Sequence, residues 1–255
     1  MARNDPASRS EIVKYLPMLV AIAALFFVQF PPETRQISSG DSSAVAKARN
    51  WIGSADARAA VKSIEVVGVQ TLSSGPVYPY HFKMLWPDKH LMEYPGGITQ
   101  VVNGPDAWQI PAPLMPGPAV SSERRHYDLN LHAIEFLLTP PPQSRIAMTA
   151  RGLGAVQGIS GMLVDVVGPE PFALTLVVDP SDGHLVGYTR AMLRVGATQG
   201  PSEDTEVVRL EDYRLVRGVK FPFKIVRSAY GISNTMIVEA LRVNEGVSAA
   251  DFFRR

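Results

Sequence analysis

Residues 86–110 read WPDKHLMEYPGGITQVVNGPDAWQI. Two strand-like pieces, Leu91–Tyr94 and Ile98–Val102, are joined by Pro95-Gly96-Gly97. Proline presets φ and glycine accepts positive φ, so this tripeptide turns the chain back on itself. Asn103-Gly104-Pro105-Asp106 makes a second turn before Trp108, and a proline-rich run follows. Hairpin after hairpin predicts antiparallel pairing. The heavy side chains of Trp86, Met92 and Trp108 exceed what a valine core would need, and the fold must account for them.

The same reading extends in both directions. Upstream, YHFKMLW alternates, with Tyr80, Phe82, Met84 and Trp86 on one face and His81 and Lys83 on the other. VKSIEVVGVQTL (61–72) is rich in β-branched residues. Further strands are expected at 98–103, 106–110, 145–150, 161–168, 172–179, 184–195, 205–216, 219–230 and 233–243. DPSDG (179–183) and Arg217-Gly218 are hairpin turns with a glycine where positive φ is required, and GATQGPSEDT (196–205) is a longer hairpin loop. Two helices interrupt the strands. GDSSAVAKARNWIG can be capped by Asp41 or Ser42 and is stopped by Gly53. SSERRHYDLNLHAIEFLL places Tyr127, Leu131, Ile134 and Leu138 on one stripe before TPPP ends it. Many antiparallel strands with two helices predict an α+β fold, a long curved sheet with helices packed on one face, as a single domain over residues 44–255.

The N-terminal segment is different in kind. Arg3, Arg9 and Lys14 precede YLPMLVAIAALFFVQF, an apolar run of 16 residues with no polar face. A secretory signal core spans about 7–15 residues and a membrane-spanning helix about 20. Residues 1–34 are therefore expected to be either a cleaved signal peptide or a retained anchor, and 35–43 a polar linker. In both cases the rest of the chain is extracytoplasmic, and a retained anchor tethers it to the inner membrane.

Composition excludes several chemistries. With 46% hydrophobic residues and 19% charged, the chain is globular. A net charge of +1 without a basic tract removes nucleic acid as a partner. Zero cysteines remove disulfides, thiol catalysis and lipidation at a cysteine. His126 and His132 lie six apart on the predicted helix and cannot chelate one metal. His81 and His90 lack a ligand at usable spacing, and His184 after a turn glycine is expected to be solvated, so no metal site is expected. Asp128 and His132, four apart, read as a surface ion pair. Glu211-Asp212 before Tyr213 and Arg214 reads as part of a cross-strand pair. RGLGAVQGISG lacks the Lys-Ser/Thr of a phosphate loop and reads as strand with bends. There is no Gly-x-Ser-x-Gly. No catalytic residue and no cofactor are expected.

The order of several words resembles the LolA-like fold, that of the periplasmic lipoprotein carrier and related outer-membrane lipoprotein-sorting proteins. They are AVAKARNWIGSADARAAVKSIEVVG, MLWPDKHLMEY, VVNGPDAWQI, VVDPSDGHLVGYTR, EDYRLVRGVKFPFKIV and VNEGVSAADFF. The resemblance implies an incomplete β-barrel with helices covering its open side and an apolar cavity for acyl chains. Phe82, Met84, Trp86, Met92 and Trp108 are then expected to line that cavity, with Leu114 and Met115 of the proline-rich run pointing inward. The carrier's arginine before the proline of its second strand, which latches the lid, stands here as Trp86. A non-enzymatic monomer binding a lipid or an acylated protein, with inner-membrane proteins as further partners, is the resulting expectation. The alternative is an envelope sensing or interaction module of the same fold with a filled core.

Overall fold

The computed structural model describes residues 41–73, 75–94, 97–110, 126–169, 172–194 and 202–253. The N-terminal segment with its apolar run, and Leu114 and Met115, lie outside them.

Twelve strands form one antiparallel sheet in the order β5-β4-β3-β2-β1-β12-β11-β10-β9-β8-β7-β6. They are β1 Ser63–Leu72, β2 Val77–Leu85, β3 Lys89–Tyr94, β4 Ile98–Asn103, β5 Asp106–Ile110, β6 Ala147–Val156, β7 Ile159–Val167, β8 Ala173–Val178, β9 Leu185–Arg194, β10 Ser202–Val216, β11 Val219–Ala229 and β12 Ile232–Val243. Two meanders, β1–β5 and β6–β12, meet where β1 pairs with β12. The sheet is curved and does not close, because β5 and β6 pair on one side only. Among the described residues the helices are α1 Asp41–Ile52, α2 Ala55–Ala59 and α3 Tyr127–Leu137, with a 3-10 turn at Ala249–Phe252. Among the described residues no helix is long and apolar enough to cross a membrane.

Local sequence explains most of these elements. α1 begins at Asp41, inside the stretch expected to be linker, and ends before Gly53. In the DPSDG turn Gly183 has φ +89°, and a Cβ there would lie 2.7 Å from the Lys47 carbonyl oxygen. Lys47 Nζ in turn donates to the carbonyls of Pro180 and Ser181, both at 2.7 Å, tying α1 to this hairpin. RGLGAVQGISG forms the β6–β7 hairpin, with a register shift between Ala150 and Gly152. Glu211 faces Lys224 across β10 and β11 with a 2.7 Å ion pair, whereas Asp212 pairs locally with Arg214.

The core lies between the helices and one face of the sheet. From α3 it takes Leu129, Leu131, Ile134, Phe136 and Leu137, and from the strands Ile64, Phe82, Met84, Val164, Leu176, Tyr188, Val208, Phe221 and Ile225. α1 packs on β6, β7 and β11, and α3 on β3 and β11. Every residue of α3 from Leu129 to Leu137 is buried, so the helix has no solvent face. An amphipathic stripe was expected, but a helix seated in a curved sheet buries its flanks as well. Leu138 ends it in the left-handed conformation with φ +47°. Arg49 Nε donates to the Leu138 carbonyl oxygen at 3.0 Å, placing a cation at the helix's negative end.

Candidate functional site

The polar residues of α3 define the site, because among the described residues no other element carries so many buried polar groups. His132 is 4% exposed and Glu135 1% exposed. His132 Nδ1 is 2.7 Å from Nε2 of His90 on β3, and its Nε2 is 3.1 Å from the hydroxyl of Tyr80 on β2. The expected surface pair of His132 with Asp128 is thus replaced by a buried chain of two imidazoles and a phenol. Burial, opposed by the Asp128 charge, pushes His90 down to about 4. Burial and the neighbouring His90 hold His132 well below the ordinary histidine range.

One turn further on, Glu135 receives Arg227 Nη2 from β11 at 2.8 and 3.1 Å and the Tyr188 hydroxyl from β9 at 3.1 Å. Arg227 Nη1 also donates to the Tyr188 oxygen at 2.8 Å, closing a triangle. Burial raises Glu135, and the Arg227 charge pulls it back. Beside the triangle Glu206 pairs with Arg190, whose guanidinium lies 5.1 Å from the Tyr127 ring centre. Among the described residues no group of three His, Asp or Glu side chains could hold a metal ion. This interior is a set of answered hydrogen bonds.

The first turn of α3 is arranged otherwise. A cleft of about 380 Å³ opens there, lined by Asp88, Gly104 and Pro105 from the turns flanking β3 and β4, by His126, Leu129 and Asn130, and by Gln143, Ser144 and Pro169. His126 donates through Nε2 to the Gly104 carbonyl oxygen at 2.7 Å, joining the start of α3 to the β4–β5 turn. Among the described residues no side chain caps the helix. Asn130 is only 8% exposed, and among the described residues its carboxamide makes no hydrogen bond.

The expected aromatic and methionine wall divides. Phe82, Met84 and Met92 share the core face. Phe82 stacks on His132 with ring centres 4.3 Å apart and meets Phe136 edge-on at 5.3 Å. Trp86, in the turn after β2, packs partly buried against the same core. Trp108 does not join them. The register pairs it with Val101, Val101 with Leu91, and Leu91 with Lys83, the row opposite to Phe82 and Met84. The β5 residue on the core face is Ala107, opposite Val102. Because side chains alternate, a turn one residue longer or shorter than assumed moves a tryptophan across the sheet. None of the five lines the cleft.

A second cavity of about 380 Å³ lies beside Trp51, His184 and Tyr213. His184, expected in solvent, stacks on Trp51 at 4.6 Å, and Tyr213 meets Trp51 edge-on at 4.8 Å. Lys220 Nζ lies 4.0 Å from the Trp51 ring centre. These ring contacts pack α1 to the sheet at the cavity's edge.

No family model and no curated protein matches the chain. Solved structures do. A LolA superfamily protein from Nitrosomonas europaea superposes with TM-score 0.51 at 11% identity, covering 84% of this chain and 97% of that one. A DUF1329 family protein from Desulfovibrio piger superposes with TM-score 0.52 at 12% identity, covering 85% and 98%. A putative outer membrane lipoprotein-sorting protein domain from Vibrio parahaemolyticus gives 0.48 at 10% identity, covering 82% and 97%. The fold is LolA-like.

Proposed function

We propose that the protein is an exported, non-enzymatic binding protein that takes a lipid acyl chain, free or attached to a protein, into the cleft at the first turn of α3. The observation that carries this reading is the cleft itself. Its volume of about 380 Å³ is within the range of small-molecule pockets, and Leu129, Pro105 and Pro169 give it apolar wall. Each methylene buried there contributes about 0.8 kcal/mol, so affinity needs area rather than many specific bonds. The apolar segment at 15–30 supports export, and the LolA-like fold supports a carrier type of use. Organic extraction of the purified full chain followed by mass spectrometry is expected to yield bound lipid. Ser144→Trp, which fills the cleft from its rim, is expected to abolish it. A wild-type protein that carries no lipid and binds no dansylated fatty acid refutes the reading.

One observation favours a second reading, an interaction or sensing module. The space beneath α3 is occupied by its own side chains and their polar partners. A protein partner captured equally by the wild type and by Ser144→Trp, with no lipid in either, would select it.

A further inference from the structure

Asn130 is the polar side chain of α3 that the fold leaves unanswered. A carboxamide whose donor and acceptor meet only the solvent of a cleft is free to bond a ligand there. Here it lines a cleft, beside a helix start where, among the described residues, no side chain caps the first-turn amides. Those amides point out of the helix end and carry its partial positive charge. The Asn130 Nδ2 and the helix-start amides both offer donors to a hydrogen-bond acceptor. An anion is the obvious acceptor, yet the cleft argues against one. Among the described residues its lining includes the Asp88 carboxylate and neither lysine nor arginine. Lys89 Nζ lies 3.7 Å from Asp88 but is also bonded to Asn103. Asp128 adds a second negative charge in the first turn of α3.

From this we infer that the cleft selects an acyl chain by a neutral headgroup. The ester or amide carbonyl accepts from Asn130 Nδ2 and the helix start, while a headgroup hydroxyl or N–H donates to Asp88. A free fatty acid, ionised, meets Asp88 with a like charge and is discriminated against. The inference rests on the acyl-binding reading above and assigns its headgroup chemistry, shared by glycerides and by acylated polypeptide termini.

The test is calorimetric titration of the full chain, at mildly alkaline pH, with three probes of equal chain length: monolaurin, an N-lauroyl dipeptide amide and laurate. At least one neutral probe is expected to bind about tenfold more tightly than laurate, the factor of one well-placed hydrogen bond. Whichever neutral probe leads identifies the source as glyceride or acylated polypeptide. Asn130→Leu keeps the branched side-chain outline without its polar atoms and is expected to erase the preference, weakening the neutral probes more than laurate. Asp88→Asn, at the cleft's rim and away from the core, is expected to narrow the gap by strengthening laurate. Laurate bound as tightly as both neutral probes by the wild type, or a preference that survives both substitutions, overturns the headgroup assignment alone. Binding of no probe overturns the acyl-binding reading with it.

Discussion

The two ends of α3 treat their polar side chains in opposite ways. At the far end His132 and Glu135 are sealed from water, with bonds to Tyr80, His90, Tyr188 and Arg227. At the near end Asn130, almost as deeply buried, has none of these bonds and faces a cleft. The difference separates two roles that burial alone does not distinguish. Groups whose partners come from three or four strands hold the helix in place. A group that opens only into a cleft marks where something else can bind.

The sharpest way to break this comparison is to remove one member of the sealed set. Arg227→Met strands Glu135 and is expected to cost about 3–5 kcal/mol in urea unfolding, with Glu135→Leu on the same chain restoring most of it. A loss below about 1 kcal/mol would mean the triangle does not hold α3.

Acid is the next largest lever. His90 is held at about 4 in the fold and titrates near its ordinary value when unfolded. Between those values the unfolded chain binds more protons, so stability is full above about pH 6.5 and declines as pH falls toward about 4. The contribution of His90 is on the order of 3 kcal/mol, and the depressed His132 adds to it. Glu135, raised by burial, works in the opposite sense, so the measured slope is the balance. Unfolding midpoints between about pH 7 and pH 5 check the sign, and His90→Leu is expected to flatten the slope.

The smallest expected effect belongs to the other end. Asn130→Leu removes no internal bond, so its stability is expected to stay within about 1 kcal/mol of wild type or to rise. A larger loss in the same assay would put Asn130 among the residues that build the fold.

Much of the fold was legible in local patterns. Alternation in YHFKMLW correctly grouped Tyr80, Phe82 and Met84, because period 2 is a property of one strand. Arg217 and Gly218 have φ of +49° and +82°, as a tight hairpin turn demands. What lay hidden depends on residues distant in the chain. Trp108 was misplaced because its face follows from three successive registers. His90 and His132 are 42 positions apart, and Glu135 and Arg227 are 92. No local spacing announces such pairs. Asn130 sat in plain view between Leu129 and Leu131, but an asparagine on a helix becomes informative only once the surroundings are known to offer it nothing.

The junction of β1 with β12 sets an order on assembly. Every other ladder joins strands adjacent in the chain, whereas Ile64 must wait for Val243. The two halves can each form as a local meander while β1 keeps one bare edge until synthesis is nearly finished. Closure at that seam also tolerates little variation. Gly68 lies at its bulge, and a Cβ there would meet the Ile237 carbonyl oxygen at 2.1 Å. A chain cut short before β12 would therefore leave two meanders with no shared ladder, joined through α3.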